Sequence, residues 1–291
     1  EANKVGIEVS GHLPRAITFE EALEAGQRTF EHARAPALAC SRFSDDLQKY
    51  ADDIVEGRVP WSPKGRVRSH LPTILDEYDP ERCDKLFELI VEKEAYLTPT
   101  HVTRRFDALA TDPSYIFDSR LEYIPSPQRE YWFEDAVSTQ AFVKESNPPY
   151  KEFYEHGLKI TYLAHKAGVK ILACSDATDS YIFPGFSLHD ELQALVDAGL
   201  TPLDAIRAAT LTAGEYLDRP IGVVEPGAIA DIVLVNENPL QDIKALQSIN
   251  LVTTEGRVYN RDDLDTMLAK SREKAMSPTF SLEMMMQFDA R

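Results

Sequence analysis

The chain has 291 residues, 43% of them hydrophobic, and sets 48 acidic against 31 basic side chains for a formal net charge of −17. A chain of this length buries roughly three quarters of its unfolded surface in one or two domains, and its charge argues against nucleic acid or an anionic membrane as partner, because phosphate binding needs clustered Lys and Arg. No apolar run approaches the ~20 residues that span a bilayer, and Cys40, Cys83 and Cys174 are too few and too far apart to suggest a disulfide framework or a zinc knuckle.

Ile7, Val9 and their neighbours read as a short β run that ends at His12. Thr18 and Glu21 then form a T-x-x-E capping box, in which each side chain satisfies an unpaired N–H of the first helical turn. Leu23 and the alanines give this helix its apolar face, and Gly26 ends it as a left-handed cap. Arg28 to Phe30 resume a strand, and His32 follows. Histidines at the C-terminal ends of neighbouring parallel strands point into one mouth of a (β/α) sheet, the face where barrels carry their active sites. Taken singly, each is as readily a structural or solvent-facing residue.

A first insertion follows, Ser41 to Asp79, with Trp61-Ser-Pro and His70-Leu-Pro; its most basic stretch, Lys64 to Arg68, reads as a solvated loop. Asp79-Pro80 starts a helix through Leu86, Leu89 and Ile90, and Ala95 to Val102 reads as a strand. His101 follows that strand directly and either faces a substrate or has a surface or core role. Arg104 or Arg105 can grip a substrate carboxylate bidentately, or both are ordinary surface charges. The second insertion, Phe106 to Pro149, is crowded with Tyr115, Phe117, Tyr123, Tyr131, Trp132, Phe133 and Phe142. Loops this long usually cover a binding site or are partly disordered; the two insertions either form a lid that shapes an apolar or aromatic substrate pocket, or their aromatics pack a helical subdomain or a subunit interface.

Ile160 to Lys166 look helical, with Gly168 as the cap. Val169 to Cys174 is an apolar run typical of a strand buried on both faces, which places Cys174 in the core. Ser175-Asp176 closes it. A carboxylate at the mouth of such a strand is costly unless a metal compensates it, or else it caps the next element. Ser180 and Tyr181 follow closely enough to line the site. Ser187 caps a helix with Asp190 at its third position and Gly199 at its end, and His189 within it reads as structural. Thr201-Pro202 opens another helix, with Asp204 as its early acid. Glu225-Pro226-Gly227 makes a type II turn, Ala230 to Val235 a strand, and Leu251 to Thr254 with Arg257 to Tyr259 a hairpin split by Glu255-Gly256.

Taken together, SDA at 175–177, SLHDELQALVDAGLTPLDAIRAATLTAGEYL from Ser187 and VEPGAIADIVLVNENPLQDI from Val224 resemble the C-terminal part of the amidohydrolase superfamily. The opening GH-x-P, EA-x-x-AG and EH motifs resemble strands 5 and 6 of its imidazolonepropionase-like and prolidase-like branch. The resemblance covers residues 1–40, 86–105 and 155–260. It implies an α/β fold: part of a TIM-type (β/α)8 barrel, about strands 5 to 8, over residues 1–214 with insertions at 41–79 and 106–149. Strands of a small β-sandwich follow at 215–260, and a helix and tail at 261–291. It also implies His12, His32 and Asp176 as metal ligands, for Zn²⁺ in one or two copies or another divalent ion. Asp176 is then also the catalytic acid/base, with His101, Arg104 and Tyr181 as candidate substrate contacts.

The implied reaction is attack of metal-activated water on an amide or cyclic amide C–N bond, first of all in a dipeptide-like or N-acyl amino acid substrate. An imidazolone-type ring or an ester is the second choice. The family also carries an H-x-H pair on its first strand and usually a lysine on its fourth. Neither has a counterpart among the seven histidines His12, His32, His70, His101, His156, His165 and His189 and their surroundings. The expectation is therefore a C-terminal portion of a longer polypeptide, acting with the missing N-terminal half or in a homo-oligomer; a non-catalytic scaffold or interaction subunit is the contrasting reading. Any signal peptide would lie upstream, which leaves cytoplasmic, secreted and periplasmic locations equally open.

Overall fold

A computed structural model describes residues 2–14, 16–60 and 69–278. Trp61, the basic stretch from Lys64 to Arg68 and the tail after residue 278 lie outside the described residues. The fold is mixed α/β. Four short strands, β1 (Val9–Gly11), β2 (Gln27–Glu31), β3 (Tyr96–Thr98) and β4 (Lys170–Ile171), form a parallel sheet in chain order. Its register sets Thr29 beside Tyr96 and Tyr96 beside Lys170. Three more, β5 (Ile232–Val235), β6 (Ile249–Thr254) and β7 (Arg257–Asn260), form a separate antiparallel sheet.

Helices α1 (Phe19–Glu24), α2 (Arg34–Ala39), α3 (Ser44–Val55), α4 (Leu71–Asp76) and α5 (Pro80–Glu92) precede β3. Between β3 and β4 come α6 (His101–Leu109), α7 (Pro113–Ile116), α8 (Ser126–Ser146) and α9 (Tyr150–Lys166). After β4 run α10 (Ser187–Ala198), α11 (Pro202–Ala209) and α12 (Leu211–Leu217), and α13 (Arg261–Ala275) follows β7. Among the described residues, no helix is long and apolar enough to cross a membrane.

Local chemistry accounts for many of these boundaries. Thr18 and Glu21 make the reciprocal capping box at the start of α1, and Asp79 and Thr201 cap α5 and α11 through their side chains. Gly26 and Gly199 take the positive φ that ends a helix without a Cβ clash. The β6–β7 hairpin turns on Glu255 and Gly256, both at positive φ. Ser187 is no cap: its hydroxyl accepts the Phe183 N–H at 2.8 Å from inside the first turn of α10.

Two apolar clusters hold the fold. In the main one Phe19 of α1 stacks on Phe30 of β2 with ring centroids 3.9 Å apart, among Phe87, Ile90, Ile160 and Leu195 from α5, α9 and α10. Each such side chain contributes about 1.5–3 kcal/mol when fully buried. The second cluster gathers Trp132, Phe106, Ile116, Ile124, Tyr181 and Phe183. Of the aromatics of the second insertion, Trp132 and Tyr115 pack into this cluster, with Trp132 stacked on Tyr181 at 5.6 Å and edge-on to Phe183 at 5.4 Å, whereas Phe117, Tyr131 and Phe133 are exposed and Phe142 packs against the main cluster.

Two expectations for the cysteines are overturned. Cys40, at the end of α2, and Cys83, in the first turn of α5, are joined in a buried disulfide. Their separation of 43 residues concealed a contact that exists only once α2 and α5 pack together. Cys174 is exposed, not core. The parallel pairing ends at Ile171, and the chain peels from β3 toward α11, where Ala173 N–H donates to Ala208 O at 3.0 Å.

Candidate functional site

The C-terminal ends of the parallel strands supply the site. His12 follows β1 directly. Glu31 is the last residue of β2, and His32 comes next in the left-handed region at φ 67°. Consecutive residues of a strand face opposite ways. The reversal at His32 breaks that alternation, so Glu31 and His32 both offer donor atoms to one centre. His12 Nε2 and His32 Nε2 lie 2.6 Å apart, with Glu31 Oε2 3.9 Å from His12 Nε2 and Asp176 Oδ2 3.7 Å from His32 Nε2. One donor atom each from His12, Glu31 and His32 falls within a 4.8 Å group.

His32 is the anchored member. Its side chain is 13% exposed against 69% for His12 and 47% for Asp176. Its N–H donates to Thr98 O at 2.8 Å, and the next N–H, of Ala33, to Pro99 O at 2.7 Å, stitching the chain to the end of β3. On the ring, Nδ1 meets Thr100 Oγ1 at 2.5 Å. A ring nitrogen fixed in this way leaves Nε2 free to face the centre, the arrangement that orients a metal-bound histidine. Burial is the main cause that lowers the His32 pKa to about 4, opposed by the neighbouring Asp176 carboxylate. The imidazole is therefore neutral, as a metal ligand must be.

Beside this centre opens a cavity of about 950 Å³, bounded by His12, Glu31 and His32 on one side and by α3 on another. Arg104, Asp107, Asp135 and Asp179 also line it. Arg104 reaches Asp107 Oδ2 at 2.5 Å; burial raises the Asp107 pKa, Arg104 opposes that rise, and Asp179 and Asp135 add to it.

Of the residues singled out in the sequence, His12, His32 and Asp176 are brought together and Arg104 faces the cavity. His101 and Tyr181 do not line this cavity. His101 is the first residue of α6, fully buried, with Nε2 3.0 Å from Thr161 Oγ1, and burial takes its pKa down to about 3. Tyr181 lies in the second aromatic cluster, 3% exposed. The first insertion does reach the site, since α3 walls the cavity. Sequence reasoning missed Glu31, whose adjacency to His32 was the available signal, and Thr100, for which there was none.

Comparison with known proteins agrees with this architecture. Residues 84–259, more than half of the chain, match the family model described as "Amidohydrolase family". Ochratoxinase of Aspergillus niger is 37% identical over 122 residues, 40% of this chain and 24% of that protein. Adenine deaminase 4 of Rhizobium meliloti is 32% identical over 124 residues, 41% of this chain and 19% of that protein. Among solved structures, a bottromycin amidohydrolase superposes with a TM-score of 0.66 at 21% identity, covering 94% of this chain and 55% of the other. A prolidase complexed with N-methylphosphonate-L-proline gives 0.53 at 21% identity, with 90% and 47% covered. The chain thus spans about a quarter or less of these curated relatives and about half of these structures. The chain belongs to the amidohydrolase family.

Proposed function

We propose that this chain carries the metal-binding mouth of a hydrolase that cleaves an amide or cyclic amide C–N bond in a dipeptide-like or N-acyl amino acid substrate. The observation that carries the reading is the convergence of His12, Glu31, His32 and Asp176 at the ends of parallel strands, beside a cavity large enough for a small molecule. Family membership supports hydrolysis of an amide. The solved relatives described as a Xaa-Pro dipeptidase and as a prolidase favour the dipeptide-like choice.

The donor set fits a divalent metal. Two imidazoles and one or two carboxylates suit Zn²⁺, singly or as a pair, with Mn²⁺, Co²⁺ and Fe²⁺ as alternatives, and the neutral, Thr100-oriented His32 meets the requirement for an unprotonated ligand nitrogen. When bound, such an ion lowers the pKa of a water toward neutrality and polarises the scissile carbonyl. The chain's own groups do the rest. Asp176, half-exposed at the mouth, orients the attacking water, takes its proton and passes it to the departing nitrogen. Arg104 holds a substrate carboxylate when it exchanges its partner Asp107 for substrate.

A second reading is favoured by the sheet. Its four described strands make a sheet in which β1 and β4 are edges, and Val5, Ile7 and Val9 are exposed in and before β1. Parallel sheets are normally covered on both faces, and an exposed strand edge is normally blunted, covered or closed into a barrel. Activity in this reading requires further strands and ligands, from an N-terminal half or a second copy of the chain. The buried Cys40–Cys83 disulfide suits an oxidising compartment.

Metal content of the purified chain, by inductively coupled plasma mass spectrometry, tests the proposal. Stoichiometric zinc or a similar metal, lost in His32→Ala, is the expected result, together with hydrolysis of some member of a dipeptide and N-acyl amino acid panel. No metal above background in the chain alone refutes a self-sufficient centre. Metal without hydrolysis favours the incomplete-barrel reading.

A further inference from the structure

Helix α6 has an unusual start. Its N-cap residue, Thr100, sits in the left-handed region (φ 44°, ψ 52°) and makes no side-chain cap bond to its own helix. A threonine at an N-cap normally spends its hydroxyl on the unpaired N–H groups of the first turn. Here that hydroxyl is 2.5 Å from His32 Nδ1. The cap comes from elsewhere: Glu191 of α10 reaches across, and its Oε2 accepts the Val102 N–H at 2.9 Å. Glu191 is completely buried and Thr100 nearly so. Replacing the cap by a side chain from another helix releases Thr100 for a second task.

We propose that Glu191 is a positioning residue of the metal centre, capping α6 in trans so that Thr100 is free to fix the His32 ring. This rests on the metal reading above for its purpose, but its geometry stands apart from it. Without the acceptor on Glu191, the Val102 N–H is left buried and unpaired, which is costly in the interior. Turning the Thr100 hydroxyl toward the helix relieves part of that cost and takes it from His32 Nδ1. The His32 ring then loses the partner that holds its orientation. Glu191→Gln preserves the arrangement, because an amide oxygen accepts as a carboxyl oxygen does. Burial pushes the Glu191 pKa up to about 8, so the group is largely uncharged near neutral pH and the amide matches its charge too.

The test compares Glu191→Gln, Glu191→Leu, Thr100→Val and the Leu/Val double variant, with zinc ion alone as the probe in competition with a chromophoric chelator. Glu191→Gln is expected within about threefold of the parent, whereas Glu191→Leu and Thr100→Val each lose about 10–100-fold in zinc affinity. The double variant is expected to lose no more than the worse single one, because both act through one contact. Multiplying losses, or a Glu191→Gln as weak as Glu191→Leu, overturn the proposal.

Nitrogen-15 spectra of the His32 ring give a readout that needs no metal. The Nδ1 resonance is expected at the same position in the parent and in Glu191→Gln, and displaced in Glu191→Leu. An unchanged Nδ1 resonance in Glu191→Leu overturns the proposal even where zinc binds. A parent that takes up no zinc refutes the metal reading, and the ring spectra then decide the positioning role alone. Should Glu191→Leu fail to fold, Glu191→Asp serves in its place, because one methylene less withdraws the carboxyl from Val102.

Discussion

Removing the Cys40–Cys83 bridge by the double substitution Cys40→Ala, Cys83→Ala is expected to cost more than any single truncation on the surface of this chain. The bridge closes a loop with a sequence separation of 43. Loop-closure entropy for that length is about 13 cal/mol/K, or about 4 kcal/mol at room temperature. Both sulfurs are buried, so their loss adds a packing penalty. The contacts around the bridge keep the native fold reachable: Asp79 N–H donates to Cys40 O at 2.9 Å, and Arg82 donates to Ala39 O at 2.8 Å and binds Asp45 through two nitrogens. The assay is urea unfolding of parent and variant without reductant, followed by far-ultraviolet circular dichroism. Thiol titration in denaturant without reductant adds a direct count, with one reactive thiol expected per chain, that of Cys174. Three reactive thiols, or two unfolding free energies that agree within about 1 kcal/mol, refute the reasoning. Because the closed loop carries α3, one wall of the cavity, amide exchange in α3 is expected to quicken in the variant more than in α9.

Two further outcomes follow from the same physical picture. Trp132→Ala removes a completely buried indole at the centre of the second aromatic cluster and is expected to cost about 3–5 kcal/mol by thermal or urea unfolding. Trp132→Phe costs less, because the buried indole N–H has no hydrogen-bond partner to lose; equal costs for the two would show that the N–H matters more than the ring volume. Glu191 makes stability depend on pH. Its folded pKa of about 8 stands above the ordinary value of 4.5, so between these limits the folded state holds a proton that the unfolded state has released. Stability from this group is complete below about pH 4.5 and is lost as pH rises toward about 8, at no more than about 1.4 kcal/mol per pH unit. Glu191→Gln flattens that dependence. A parent whose unfolding free energy, compared at about pH 5 and about pH 8, falls no more than that of the variant contradicts it.

The features legible in the sequence are those decided by neighbours. The capping box of Thr18 and Glu21, the cap at Asp79, the stops at Gly26 and Gly199 and the Glu255-Gly256 turn all depend on residues within about four positions, and each stands where its pattern placed it. His12, His32 and Asp176 were legible for a related reason: each ends or follows a parallel strand, and parallel register brings strand ends together. Long-range contacts left no such mark. The Cys40–Cys83 bridge needs α2 against α5, and the Glu191 cap on α6 spans 89 residues. Tyr181 shows the limit most clearly. Its place just after Asp176 put it near the site, but the aromatics of the second insertion supplied a larger apolar surface for it to join, and packing decided its direction.

The backbone itself singles out the same mouth. Among the described residues, eight other than glycine have positive φ, and His32, Thr100 and Asp176 are three of them. Left-handed backbone costs a side-chain-bearing residue about 1–2 kcal/mol. Elsewhere the conformation ends a helix or makes a turn, as Asn147 and Asp218 do behind α8 and α12 and Glu255 does in the hairpin. At the mouth it follows the ends of three neighbouring parallel strands, where an extended or helical residue would carry each side chain away from the others. His32 at φ 67° shares a centre with Glu31, its neighbour in sequence; Thr100 at φ 44° gives up its own helix cap to reach His32; Asp176 at φ 57° brings a carboxylate to within 3.7 Å of the same ring. Backbone strain held at several points and directed at one imidazole is expected where position is worth more than stability. That convergence makes His32 the point at which the three left-handed positions meet.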